Sequence, residues 1–341
     1  MAQVVIIADD LTGALDSACA FALRGMATRV ALTRDEFAAA LHDEQIEVLA
    51  IPTGTRERAA EDAGRVVAQI VDVMAGFVGL VFKKVDSRLK GPIAAELGPL
   101  RAAFPRPVLA APAIPAQGRY IRDGHVVGAG VSAPIPVAER LGIAARIPDI
   151  DSDAALDAVL GSDLTQNLYV GAAGLSAALA RRLAPEIVAP TYDLPEPLLL
   201  AVGSRDPLTL AQIAASPLTP LPAPNGRVPE LAPGLRQLVQ LVPGAEAREA
   251  EEVSEQFAIG IAREFNRIQP RSLLACGGET AQAILRALNV GALDVLGEVL
   301  PGVPVARCPP GQKQTGLTVL TKSGGFGGPD LLKTLLSKFD K

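Results

Sequence analysis

Histidine is almost absent: the 341-residue chain has two, His42 and His125. His42 lies beside Asp43 and Glu44 and reads as a solvated surface residue, while His125 follows Asp123-Gly124 in a hairpin-turn pattern. Histidine general-base chemistry is thereby set aside, and carboxylates and lysines must carry the proton and charge work. Cysteine is scarce as well. Cys19, Cys276 and Cys308 are odd in number, far apart and form no CxxC pair. That argues against a disulfide framework and against zinc, and fits a reducing compartment. No run of about 18 apolar residues could span a bilayer, and no secretory leader pattern opens the chain, so a cytoplasmic protein with no membrane partner is expected. The net charge of −5 comes without a dense basic stripe, which argues against nucleic acid as the main partner. GxxxxGK[ST] and GxGxxG are both missing, so any nucleotide must bind without either common fingerprint.

What is present is apolar. A chain that is 49% hydrophobic and 20% charged folds around a substantial core. Its length exceeds the roughly 250 residues at which single cores stop growing, which implies two domains. Strand-like runs at Val4–Ala8, Ala27–Leu32, Glu47–Ile51, Gly79–Phe82 and Val108–Ala111 alternate with helical patterns at Ala14–Leu23, Glu57–Met74 and Pro92–Ala103. Tyr120–Val127 reads as an antiparallel hairpin, and Ala133–Ile150 as irregular. Pro185, Pro190, Pro195 and Pro197 mark a link, and Leu198–Val202 restarts the alternation. Ser216–Pro233, with six prolines, reads as a surface excursion. The expected architecture is α/β, with two domains, 1–190 and 196–341, each a mostly parallel sheet flanked by helices, and an active site in the cleft between them.

Chemistry concentrates where strands end, the usual ligand position in open α/β sheets. Asp9 and Asp10 follow the first strand, then Thr12 and Gly13 open a helix. One carboxylate is expected to cap that helix and the other, with Asp10 favoured, to face the substrate; the competing reading is a cap plus a solvated acid. A second cluster runs Lys83-Lys84-Val85-Asp86-Ser87-Arg88-Leu89-Lys90-Gly91, again between strand and helix, and suits an anion. Arg119 offers a bidentate clamp for a carboxylate. Three glycine clusters, at Gly203-Ser204, Gly277-Gly278-Glu279-Thr280 and Lys322-Ser323-Gly324-Gly325-Phe326-Gly327, permit close approach of backbone to phosphate, with Lys322 as the cation.

In order along the chain, several stretches resemble motifs of the four-carbon acid sugar kinase family. They are Ala8-Asp9-Asp10-Leu11-Thr12-Gly13-Ala14, Lys84–Gly91, Pro112-Ala113-Ile114-Pro115 with Gly118-Arg119, Gly203-Ser204, Gly277–Ala281, Pro301-Gly302-Val303-Pro304 and Lys322–Gly327. The resemblance implies an enzyme that uses ATP, with Mg²⁺, to phosphorylate a hydroxyl of a small sugar acid. The acid would lie in the N-terminal domain and the nucleotide in the C-terminal one. On that reading Asp10 or Asp86 orients or deprotonates the hydroxyl. Asp9, Thr12, Lys84, Ser87, Arg88, Lys90 and Arg119 form the substrate side. Ser204, Gly277, Gly278, Glu279, Thr280, Gly302, Lys322, Gly324, Gly325 and Gly327 form the nucleotide side. No metal ligands are assigned, and a homodimer is left open. Arg88 and Lys90 stand where the family pattern has Thr and Arg, and the chain is shorter than the pattern, with the shortfall expected between Ile150 and Arg236. A non-catalytic sugar-acid sensor, or less readily a phosphatase, are the alternatives.

Overall fold

The computed structural model describes residues 2–340, and the chain divides into two compact units between Ala189 and Pro190. The first unit runs β1 (Val4–Ala8), α1 (Leu11–Ala22), β2 (Thr28–Ala31), α2 (Arg34–Leu41), β3 (Val48–Pro52), α3 (Ala60–Val73), β4 (Leu80–Lys84), α4 (Ile93–Ala103) and β5 (Val108–Ala111). A hairpin of β6 (Arg119–Arg122) and β7 (His125–Gly128) follows, then β8 (Ile135–Pro136), α5 (Val137–Leu141), α6 (Asp153–Ala158), β9 (Leu168–Gly171) and α7 (Ala173–Leu183). The second unit contains β10 (Leu198–Val202), α8 (Pro207–Ala214), β11 (Pro220–Pro224), β12 (Arg236–Val242), α9 (Ala250–Ile268), β13 (Ser272–Cys276) and α10 (Gly278–Ala287). It ends with β14 (Ala292–Leu300), β15 (Val303–Arg307), β16 (Thr318–Lys322) and α11 (Leu331–Ser337).

In the first unit the strands lie side by side in the order β2-β3-β1-β4-β9-β5, all parallel. β1 has all five residues buried, as its unbroken Val/Ile run requires of a strand covered on both faces. The register pairs Ala8 with Pro52 on one side and with Lys84 on the other. Asp9, Thr53 and Val85 therefore leave the strands at one level, beside the central strand from which the chain winds both ways. In the second unit the order is β11-β12-β10-β13-β16-β15-β14, parallel as far as β16 and antiparallel beyond it.

Four stretches differ from the sequence reading. The proline-rich excursion contains β11, which pairs in parallel with β12 at the edge of the order; an edge strand bonds on one side only, so prolines are tolerated there. Ala133–Ile150, read as irregular, holds β8 and the short helix α5. α2 and β14 fall where no element was expected.

Beneath β4 lies a buried charge pair. Lys83 Nζ faces Glu96 Oε1 of α4 at 3.1 Å, both side chains essentially sealed from solvent. Glu96 also accepts the hydroxyl of Thr55, which is in contact with Thr53. Glu96→Ala would leave a buried ammonium unpaired, so it is expected to cost about 3–5 kcal/mol, read as a lowered urea midpoint. The double variant Lys83→Met/Glu96→Leu is expected to recover most of that loss. A single-variant cost under about 1 kcal/mol would show that the pair is not what keeps Lys83 folded inside.

Candidate functional site

The strand ends of the first unit converge on one guanidinium that sequence reasoning missed. Arg56, four residues beyond β3, donates Nε and Nη2 to the two oxygens of Asp9 at 2.8 and 2.9 Å, and Nη1 to Asp10 Oδ2 at 2.7 Å. The backbone brings it there: Thr53 N–H donates to the Ala8 carbonyl at 2.8 Å, and Thr55 N–H to the Asp9 carbonyl at 3.0 Å. Gly91, at φ +91°, lets the loop after β4 pass against the backbone of Arg56; a Cβ there would lie 3.2 Å from the Arg56 carbonyl. The available signal was Thr53-Gly54-Thr55-Arg56 at the end of a strand adjacent to β1, and only the register makes it meaningful.

Asp10 is the cap. Its Oδ1 accepts the Gly13 N–H at 2.8 Å while Oδ2 accepts the Thr12 hydroxyl at 2.7 Å as well as Arg56. This corrects the separation of roles: the capping residue is the one favoured for the chemistry, and Asp9 is the buried member, neither solvated nor free. A Cβ on Gly13 would sit 2.9 Å from Lys84 Nζ, so the Lys84 ammonium stands over the start of α1; it donates to the Val85 carbonyl at 3.0 Å. Asp86 accepts the Arg88 N–H at 2.9 Å through Oδ2. Ser87 is buried and its hydroxyl accepts from Arg119 Nη1 at 2.7 Å. Arg119 also donates to the Gln117 side chain and the Ala129 carbonyl. Partial burial, and after it the positive charge of Arg88, pull the Arg119 pKa down, with Asp86 opposing them. Arg88 and Lys90 are exposed. Burial alone would lower the pKa of Arg56, but the Asp9 hydrogen bond and the charges of Asp10, Asp9 and Asp86 raise it, so the three predicted carboxylates share this one guanidinium. His125 bonds only the carbonyl of Asp123 within its hairpin.

In the second unit Ser204, Gly277, Thr280, Gly324 and Gly325 come together where β10, β13 and β16 end. A Cβ on Gly203 would collide with Thr280 Oγ1, one on Gly324 with Ser204 Oγ, and one on Gly277 would lie 3.5 Å from the Ser204 nitrogen. Gly277, at φ +104°, turns the chain into α10; Gly278 and the exposed Glu279 form its first turn. Two glycines sit elsewhere: Gly302 lies against the ring of Phe326, and Gly327 against Leu331. Their small size serves packing. Lys322 is also corrected. Its side chain is fully buried and its Nζ bonds protein carbonyls, so it supplies no free cation to the loop. Beside these loops is a cavity of about 590 Å³ lined among others by Gly203, Arg205, Asn225, Arg248, Glu279 and Thr280, a size typical of small-ligand sites. Arg205, Asn225 and Arg248 were missed; Asn225 pins the loop after β12 by bonding the Gly244 N–H and the Glu246 carbonyl, each at 2.8 Å. Among the described residues no cluster of three or more His, Cys, Asp or Glu side chains forms a metal site, and no helix is long and apolar enough to cross a membrane.

Residues 4–161 match a sugar-binding N-terminal domain and residues 237–332 a nucleotide-binding C-terminal domain, which defines a two-domain sugar- and nucleotide-binding α/β protein. The chain is 31% identical to a D-threonate kinase of Bordetella bronchiseptica over 396 residues, covering 96% of this chain and 95% of the relative. It is 28% identical to a D-threonate kinase of Cupriavidus necator, over 95% of this chain and 94% of that one. Crystal structures from Salmonella typhimurium LT2 and Haemophilus influenzae, the latter of the DUF1537 family, share the fold. Their TM-scores are 0.77 and 0.69 at 17% and 18% identity; they cover 97% and 98% of this chain, and 98% and 100% of their own. The chain belongs to the four-carbon acid sugar kinase family.

The Asp9 clamp makes a pH prediction. Burial alone would raise the Asp9 carboxyl, but the Arg56 hydrogen bonds and the charges of Lys83, Lys84 and Arg56 hold it below its ordinary 3.8. A carboxyl with a depressed folded pKa contributes stability that is fully present above its unfolded value and is lost as pH falls through the folded one. Asp9's share is therefore expected to be complete above pH 3.8 and to be lost progressively as the pH falls from there through its depressed folded pKa. Urea midpoints followed down the acid limb should fall less steeply for Asp9→Asn than for the wild type; parallel curves would mean that the clamp adds no net stability.

Proposed function

We propose that this protein is an ATP-dependent kinase that phosphorylates a hydroxyl of a four-carbon sugar acid. One observation carries the reading: sugar-binding and nucleotide-binding domains occur in one chain that aligns over nearly its whole length with a D-threonate kinase. The first unit offers what a sugar acid needs. Lys84, Arg88 and Arg119 supply cationic donors for its carboxylate, and Asp9 and Asp10, held by Arg56, accept from its hydroxyls. The second unit offers Ser204, Gly277–Thr280 and Gly324–Gly325 to the ATP phosphates, and the adjoining cavity to the rest of the nucleotide.

Phosphoryl transfer asks mainly for positioning and charge neutralisation. Both oxygens of Asp10 are occupied by its cap, Thr12 and Arg56, which suits it to orienting a hydroxyl. Asp86 makes one hydrogen bond, through Oδ2, and is our choice for the base. Mg²⁺ accompanies ATP in this reading, and the donor set fits an ion that keeps most of its waters and takes few protein ligands. Asp206 Oδ2, which faces Gly325, and Glu279 are the carboxylates near the loops.

A coupled ADP-release screen over four-carbon sugar acids is the test. Turnover with at least one acid is expected. ADP and acid binding without turnover would favour the sensor, and phosphate release from a phosphorylated acid would favour a phosphatase. Asp86→Asn should lose roughly 10²–10⁴-fold in kcat, the range for a positioned base; near-native kcat would remove Asp86 from that role. Arg56→Lys keeps charge but loses the two-pronged grip, so kcat/KM for the acid should fall about tenfold to hundredfold with the ATP KM unchanged.

A further inference from the structure

The glycine loop that follows β16 is tied down from one side. Lys322 Nζ donates to the carbonyls of Ser323 and Gly324, both at 2.9 Å, and to Thr209 Oγ1 at 3.3 Å. Three donors meet three oxygens, the full capacity of an ammonium group. Thr209 passes its own hydroxyl hydrogen to the Gly324 carbonyl at 2.6 Å. Gln212, on the same helix α8, donates to the carbonyls of Phe326 and Gly328 at 3.0 and 2.8 Å. All of these anchors hold carbonyls.

The consequence follows from peptide geometry. The bonds joining Ser323, Gly324 and Gly325 are trans, and in a planar trans peptide the carbonyl and the following N–H point in opposite directions. With the Ser323 and Gly324 carbonyls drawn onto Lys322, the N–H groups of Gly324 and Gly325 face away from it. Neither donates to another group among the described residues. Two successive unpaired N–H groups form an anion-binding concavity, and Ser204 borders it, since a Cβ on Gly324 would strike Ser204 Oγ.

We propose that Lys322 is a positioning residue for ATP: it does not touch the nucleotide, but fixes two carbonyls so that Gly324 and Gly325 present their N–H groups to a phosphate. This rests on the assignment of ATP to the C-terminal unit. Its buried charge lies on the far side of those peptides and adds attraction for an anion.

The test uses the full chain. Isothermal titration of the wild type with ADP comes first, and failure to bind would overturn the nucleotide assignment and this proposal with it. Lys322→Met keeps an unbranched apolar side chain but cannot donate. Its ADP Kd and ATP KM should rise about tenfold or more, the order of one lost charged hydrogen bond, while kcat at saturating ATP and sugar-acid affinity stay near the wild-type values. Should that variant not fold, Thr209→Val, which removes one donor to the Gly324 carbonyl, should raise the ADP Kd severalfold. Native ADP affinity in folded Lys322→Met, or in Thr209→Val when the first variant fails, would overturn the proposal. Affinities for ADP and sugar acid that fall together would also overturn it, since they mark a residue that serves only general stability.

Discussion

The grip of Arg56 on Asp9 and Asp10 is the constraint around which the first unit is arranged. Two adjacent carboxylates at the end of a buried strand repel each other, and one of them is almost fully enclosed. They are tolerated because a single planar guanidinium reaches both, with two of its nitrogens on Asp9 and a third on Asp10. Holding it there demands the β1–β3 register, the two hydrogen bonds from Thr53 and Thr55 to the end of β1, and a glycine at 91 to clear the Arg56 backbone. The side chain of Thr55 is fastened in turn to Glu96, and Glu96 to Lys83. The site is thus preorganised by a chain of contacts running from helix α4 under β4 to the strand ends.

Each unit carries a fully buried lysine within the last two residues of a strand, and the two are compensated differently. Lys83 faces a carboxylate, so its charge is neutralised locally. Lys322 hydrogen-bonds dipoles, two carbonyls and a hydroxyl, with the Cys276 sulfur at 3.8 Å, and feels the Asp206 carboxylate only at longer range. Burial pulls the pKa of Lys322 down for this reason; oxygen dipoles offset desolvation less than a full negative charge does. A pair such as Lys83–Glu96 exerts little field beyond itself, whereas an ammonium bonded to carbonyls acts by fixing how the adjoining peptides are turned. The first arrangement suits a support for a site and the second suits the edge of an anion pocket.

The buried strands were legible because strands covered on both faces read as continuous Val, Ile, Leu and Ala, and β1, β5, β10 and β13 fall where those runs lie. β11 was hidden by its prolines. β14 was hidden by the polar residues interleaved along Ala-Leu-Asp-Val-Leu-Gly-Glu-Val-Leu, whose first half alternates between buried and half-buried positions. Arg56 was invisible for a different reason: its role depends on the alignment of strands more than 40 residues apart in sequence, a tertiary fact with no local pattern. The glycine clusters were legible as loops but not as individual roles. Gly203 and Gly324 allow close approach, Gly277 a left-handed turn, and Gly302 the packing of Phe326. Composition cannot separate these cases.

The loop after β4 explains why its departures from the family pattern fall where they do. Val85, Ser87 and Leu89 are buried, while Arg88 and Lys90 between and beyond them are exposed. Leu89 adopts φ +54°, a left-handed conformation that costs a branched residue of order 1–3 kcal/mol and persists where surroundings impose it. Here they do, because Leu89 must bury its side chain while its N–H bonds the Asp86 carbonyl at 2.9 Å. Packing therefore constrains the alternate buried positions, and the two that face solvent are free to vary in size and charge. Arg88 lies close enough to add to the lowering of the Arg119 pKa that burial begins, so this exposed position still acts on its neighbours through charge. Exposed positive charge of this kind raises the encounter rate of any small anion, whereas Ser87 and Lys84 are buried and held by Arg119 and the Val85 carbonyl. Under the proposed function, discrimination among sugar acids by shape would fall to the buried residues, and the exposed pair would contribute charge.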